Sequence, residues 1–255
     1  MTKLPEQHKF VDLSDYGRPA ARVIASSLRN TRFTPFHVTI AFIFSGLIAI
    51  YCILSDFHVL AAIFLIIKSI LDAADGELAR VKNTPSYAGR YFDSIADIIL
   101  NLLIMLAICK ISETSILYTI IAFFGLQLQG TLYNYYYVIL RNKTGGDTTS
   151  RIFENEAPIA MRGEKQKHVE RFFCIYNILY GYFDRIIYLL DKNAVKGVDF
   201  PNWFMTAIST LGLGFQLLLI SIMLIVGWEE YIAPFFIGYT FLIIFFVWIR
   251  KVWLH

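Results

Sequence analysis

Four aspartates interrupt an otherwise oily chain: Asp72, Asp75, Asp93 and Asp97, all within "LDAADGELARVKNTPSYAGRYFDSIAD", Leu71–Asp97. On a helix Asp72 and Asp75 share a face. Gly76 and Ala79 continue that face almost without side chains, and Arg80 follows one turn later. Gly89, Asp93 and Asp97 recur at every fourth residue, again on one face. The short connection "KNTPSYA" folds the two helices antiparallel, so the acidic faces can meet. Converging, partly desolvated carboxylates either take up protons or need a cation. Hard oxygen donors suit Mg2+, Mn2+ or Ca2+ better than zinc. Four such donors can hold two ions, a recurring arrangement for displacement at phosphorus. The bare positions Gly76, Ala79 and Gly89 leave room for a large flat molecule such as a nucleotide, with Arg80 placed to meet a phosphate.

These residues must be positioned by helices in a membrane. Of 255 residues 56% are hydrophobic and only 17% charged, against about 25% charged in an ordinary soluble domain. The apolar residues gather in runs of about 20, the length that crosses a bilayer core. Six crossings are expected: Phe36–Ser55, Phe57–Val81, Arg90–Ile111, Thr114–Leu140, Trp203–Trp228 and Tyr231–Ile249. The connections "DF", "SE" and "GWEEY" hold no Lys or Arg, whereas those on the other side are strongly basic. The positive-inside rule then places both termini and the acidic cluster in the cytoplasm. The polar first ten residues do not have the form of a cleavable signal peptide. Nothing in the small net charge of +3 points to nucleic acid as a partner. Cys52, Cys109 and Cys174 are scattered and read as packing residues rather than a disulfide framework or a metal site.

The expected fold is an all-α polytopic membrane protein in four regions. Residues 1–33 form a cytoplasmic N-terminus whose segment Asp15–Asn30 reads as an amphipathic helix at the membrane surface. Residues 34–141 hold the first four crossings and the acidic motif. Residues 142–202 form a cytoplasmic linker, in which Arg171–Lys192 has one apolar face at helical spacing. It reads as lying at the interface or packed on the bundle, because a seventh crossing would reverse the charge bias beyond it. Residues 203–255 hold the last two crossings and a cytoplasmic tail. "KTGGDTTS", Lys143–Ser150, reads as a loop without the context of a phosphate loop.

The spacing D-x2-D-G-x2-A-R-x8-G-x3-D-x3-D resembles the signature of the CDP-alcohol phosphotransferase family of integral membrane enzymes. Asp72, Asp75, Gly76, Ala79, Arg80, Gly89, Asp93 and Asp97 match every fixed position. The resemblance implies two divalent cations, Mg2+ or Mn2+, and transfer of a substituted phosphate from a CDP-linked donor to an acceptor hydroxyl with release of CMP. Asp72, Asp75 and Asp93 would be metal ligands. Asp97 would be a ligand or a neighbour of the metals, and the general base. Gly76, Ala79, Arg80 and Gly89 would line the CDP pocket. Thr34 and Thr39, which match a Thr-Pro-Asn element and the threonine that follows it, would join the nucleotide-binding side, but Phe36 stands where many members have Asn.

The motif leaves the acceptor open. The chain's size favours CDP-diacylglycerol as donor and a small polar alcohol as acceptor, over the choline and ethanolamine branch with its lipid acceptor. Arg141, Lys143 and Arg250 are candidates for a phosphorylated acceptor, set against plain positive-inside flanking. Lys68, one turn before Asp72, is either an internal counter-ion or a cation snorkelling to the surface. A homodimer is one expectation, with Tyr133 to Tyr137 as its contact or as an interfacial belt. A divalent-cation transporter is a reading from another class, but the cluster sits at one end of the spans and no inverted repeat is visible. An inactive scaffold is a further alternative, against which all eight motif positions stand.

Overall fold

Backbone groups in hydrocarbon must be satisfied within their own segment, which selects helices. Every regular element among the described residues is helical. The computed structural model describes residues 4–145, 154, 156–196 and 200–254. The helices are α1 (Arg18–Leu28), α2 (Pro35–Leu54), α3 (His58–Val81), α4 (Tyr87–Ile111) and α5 (Ile116–Lys143). The linker holds α6 (Gln166–Leu179) and α7 (Gly181–Leu190). The chain ends in α8 (Asn202–Ile208), α9 (Leu213–Val226), α10 (Glu229–Tyr239) and α11 (Phe241–Trp253).

Among the described residues four stretches are long and apolar enough to cross a membrane: Pro35–Leu54, Tyr87–Ile111, Ile116–Lys143 and Glu229–Trp253. The segment Asn202–Leu211 and α9, bent by 52° relative to each other, make a fifth if taken as one. α3 has the length, 24 residues, but carries Lys68, Asp72, Asp75, Glu77 and Arg80. The residues that set α3 apart from the expected six crossings are those of the acidic motif and its neighbours.

The main core joins α2, α3, α4, α5, α9 and α10 through residues such as Ala49, Leu65, Ile104, Phe123, Leu217 and Phe236. Gln129 reaches across it and donates to the Phe236 carbonyl at 3.1 Å and to Thr240 Oγ1 at 3.0 Å, where α10 ends. α1 lies across α3, with Ala21 and Ala25 against Ala74, Leu78 and Val38. It is shorter than the expected Asp15–Asn30.

A second core gathers Tyr136, Ile139, Ile187, Phe204, Ile208 and Phe246. The N-terminal segment joins it rather than standing apart: Leu4 is buried there, the Tyr133 hydroxyl donates to Asp12, and the Leu13 N–H donates to Ser209 Oγ at 2.9 Å. Tyr135, Tyr136 and Tyr137 are buried inside the chain. They form neither an exposed belt nor an open dimer face, because α7, α8, α11 and the N-terminal segment cover the end of α5. Cys52, Cys109 and Cys174 are all free thiols.

Candidate active site

The α3–α4 hairpin brings the motif together. One carboxylate oxygen each from Asp72, Asp75 and Asp93 lies within 4.8 Å of the other two. Asp75 is the most enclosed of the three and accepts a hydrogen bond from Thr39 Oγ1 at 2.7 Å, which fixes its orientation from α2. Asp93 Oδ1 is buried with no hydrogen-bond partner among the described residues. An orphaned acidic oxygen costs free energy unless something positive meets it. Three hard oxygens at this spacing fit a divalent cation, so the residues present suit the metal that the motif implies.

Asp97 stands apart from that trio. Its Oδ1 accepts from Lys68 Nζ at 2.5 Å, and Lys68 is fully buried, with Nζ 5.1 Å from the centroid of the Phe42 ring. Lys68 therefore does not snorkel; it is an internal counter-ion.

The expected nucleotide side divides in two. The Arg80 guanidinium lies over Gly76, 3.6 Å from where a Cβ would stand. Glu77 sits between Arg80, at 3.2 Å, and Arg18 of α1, which also pairs with Asp15. The sequence reading missed Arg18 and Glu77; the charged residue directly after Gly76 was the available signal. Ala79 is half-buried on the same helix. Gly89 is instead engaged in the cap of α4, its N–H donating to Ser86 Oγ at 2.7 Å. Thr34 caps α2, its hydroxyl 2.7 Å from His37 Nδ1, and is exposed.

The linker clasps this hairpin through residues that sequence reasoning did not single out. Glu164 accepts from Ser86 Oγ at 2.7 Å and from the N–H groups of Ala88 at 2.9 Å and Tyr87 at 3.2 Å, the unpaired donors that open α4. Burial pushes the Glu164 carboxyl up, but Ser86 and the N–H groups of Ala88, Met161 and Tyr87 outweigh it and hold the group below its ordinary value. Glu154 accepts from Arg90 Nη2 at 2.5 Å and from the Tyr91 hydroxyl. Phe36, standing where many relatives have Asn, packs on Phe92 at 5.2 Å between ring centroids, and Phe92 meets Phe172 of α6 at 5.8 Å. Aromatic contacts from α2 through α4 to the linker thus start at a position where a polar contact was expected, and Phe36 itself stays exposed.

The cations proposed for a phosphorylated acceptor lie at the second core. Arg250 Nε donates to Asp191 at 2.5 Å, and the Tyr136 hydroxyl donates to the same carboxylate at 2.7 Å. Arg141 lies over the Tyr137 ring at 5.8 Å and Lys143 over Phe200 at 6.0 Å.

No curated protein sequence matches this one significantly. The sequence model of the CDP-alcohol phosphatidyltransferase family matches residues 32–191, which take in α2 to α7 and all eight motif positions. That family transfers a phosphate-linked group from a CDP-alcohol donor to an alcohol and uses divalent metal ions. The chain belongs to the CDP-alcohol phosphatidyltransferase family.

Proposed function

We propose that the protein is a phospholipid-synthesis enzyme that moves a phosphatidyl group from CDP-diacylglycerol to the hydroxyl of a small polar alcohol, releasing CMP. The observation that carries this reading is the trio Asp72, Asp75 and Asp93, with its oxygens within 4.8 Å and one of them orphaned, inside the segment that matches the family. Phe36, exposed beside Phe92, offers apolar surface for acyl chains at the edge of the motif.

In this reading Asp72, Asp75 and Asp93 hold two divalent cations, Mg2+ or Mn2+, with Asp97 beside them. Bound cations would neutralise the pyrophosphate and stabilise charge on the departing CMP. The chain's own groups do the rest. Thr39 orients Asp75. Arg80 and the backbone at Gly76 receive the nucleotide, with Ala79 and Gly89 on its border and Thr34 further out. Asp97, fixed through one oxygen by Lys68, presents the other to the acceptor. The acceptor proton passes to that carboxylate as its oxygen bonds to phosphorus, and the bond from phosphorus to CMP breaks. The chain crosses the membrane six times, α3 included, with termini and site on the cytoplasmic side; the basic connections support that orientation.

Purified protein in lipid nanodiscs with CDP-diacylglycerol and Mg2+ or Mn2+ tests the proposal. Serine, glycerol, inositol and their phosphorylated counterparts are added singly and CMP release is followed. CMP production that depends on one acceptor is expected. No CMP with any of them, together with turnover of CDP-choline or CDP-ethanolamine on diacylglycerol, would contradict the assignment of donor and acceptor.

A further inference from the structure

The linker's helical stretch does not lie flat. It breaks at Tyr180–Gly181 into α6 and α7, and the Asn177 amide oxygen folds over Gly181 at the elbow. α6 runs beside α4: Phe172 meets Phe92 at 5.8 Å, Phe173 meets Tyr91 at 5.7 Å, and Tyr176 meets Tyr91 at 5.2 Å. Tyr180 then stacks on Tyr176, ring centroids 5.3 Å apart and planes 14° apart. α7 returns along α5, with Phe183 on Phe124 at 5.5 Å near its start and the Tyr135 hydroxyl donating to the Asp191 carbonyl at 2.9 Å beyond its end. Phe124 and Tyr135 are separated by about 16 Å of helical rise. The hairpin therefore enters and leaves at the same end of the bundle and reaches deep beside α5. Its outer face is apolar and exposed at Ile178, Tyr182, Ile186 and Leu189, as a surface against lipid would be.

The elbow arrives at the level of the acidic cluster. From Phe173 to Tyr180 is about 10.5 Å of rise, and from Tyr91 to Asp97 about 9 Å, along neighbouring helices. The Tyr180 hydroxyl lies within electrostatic reach of Asp97 and Asp93, and it makes no hydrogen bond among the described residues. The charged groups on this side are Asp93, Asp97, Asp184 and Glu154, with Lys68 engaged by Asp97 and Arg90 by Glu154. Arg250, a cation that a phosphate would want, is held by Asp191 in the second core.

We propose that α6–α7 is a re-entrant hairpin forming the acceptor wall of the site, with the Tyr180 hydroxyl binding an acceptor alcohol that carries no phosphate. This rests on the reaction proposed above. An acceptor phosphate would bring further negative charge to a face where Lys68 and Arg90 are already paired, whereas an uncharged hydroxyl compound finds a phenolic partner at the level of Asp97.

Tyr180→Phe removes the hydroxyl and keeps the stacked ring. In nanodiscs with CDP-diacylglycerol, the variant should raise KM for inositol, glycerol or serine, whichever the wild type uses, by about three- to tenfold, the worth of one neutral hydrogen bond. KM for the donor and calorimetric binding of CDP with Mn2+ should not change. An unchanged acceptor KM, or turnover of the phosphorylated acceptors alone, would overturn the proposal. Loss of CDP binding in the wild type would instead count against the reaction itself. A readout independent of activity is maleimide labelling in a cysteine-free background. Lys167→Cys and Lys192→Cys should label from one side of the membrane, and Tyr182→Cys should resist an impermeant reagent from both. Labelling of the two lysine positions from opposite sides would make the segment a crossing and overturn the hairpin.

Discussion

Lys68 Nζ donates to Asp97 Oδ1 at 2.5 Å, and both residues are buried. The pair joins α3 to α4 at the level where the four aspartates converge. It accounts for part of how the fold tolerates so many carboxylates: Asp97 has a resident cation, while Asp72, Asp75 and Asp93 each place an oxygen within 4.8 Å of the other two.

Removing that cation strands a buried carboxylate. Lys68→Met should lower stability by about 3–5 kcal/mol, the cost of breaking a buried pair by one partner. The double variant Lys68→Met with Asp97→Asn should regain most of it, since no unpaired charge remains. Thermal unfolding in detergent with a chelator compares the three proteins. Equal losses in the single and double variants would show that the ion pair is not what Lys68 supplies.

The Glu164 clasp should depend on pH. Its folded-state value lies below the ordinary 4.5. The clasp's contribution is therefore complete above that ordinary value and is lost as the pH falls through the depressed one. Hydrogen exchange at the Tyr87 and Ala88 amides, corrected for intrinsic rate, should show protection at pH 7 that fades in acid. Glu164→Gln should weaken protection at pH 7 and flatten its pH dependence. Full protection in that variant would place the cap of α4 elsewhere.

Arg250 should prove structural. Arg250→Met leaves Asp191 buried and unpaired, and about 3–5 kcal/mol of stability should go with it. KM for the acceptor should stay within about twofold, because no transition-state or ground-state contact is removed. A tenfold rise in acceptor KM in a protein that still folds would return Arg250 to the acceptor site.

Much of the motif was legible because its signal is local. Helical spacing placed Asp72 with Asp75 and Asp93 with Asp97, and the hairpin between the helices followed from "KNTPSYA"; the observed helices, His58–Val81 and Tyr87–Ile111, lie within a few residues of those expected. Thr39, expected on the nucleotide side, donates to Asp75, a partner that spacing did not indicate. What sequence spacing does not carry is a partner far along the chain. Lys68 was open between core and surface until Asp97, 29 residues away, appeared beside it. Glu164 and Ser86 are 78 residues apart, and Arg250 and Asp191 are 59 apart. The break at Tyr180–Gly181 was hidden because the apolar period runs through it unchanged. Tyr133 to Tyr137 looked like a surface belt because their amphipathic rings suit an interface, yet three of them are covered by segments that composition alone does not place.

The proposed reaction stands or falls with Asp72, Asp75 and Asp93 as holders of the metal on which transfer depends. The most direct test follows CMP release from CDP-diacylglycerol alongside Mn2+ binding, for the wild type and for Asp93→Asn. The wild type should release acceptor-dependent CMP that stops on chelation and returns with Mg2+ or Mn2+. Asp93→Asn should lose at least about a hundredfold in rate, with Mn2+ binding weakened in parallel. Undiminished CMP release by Asp93→Asn, or by chelated wild type, would mean that this trio does not hold a catalytic metal.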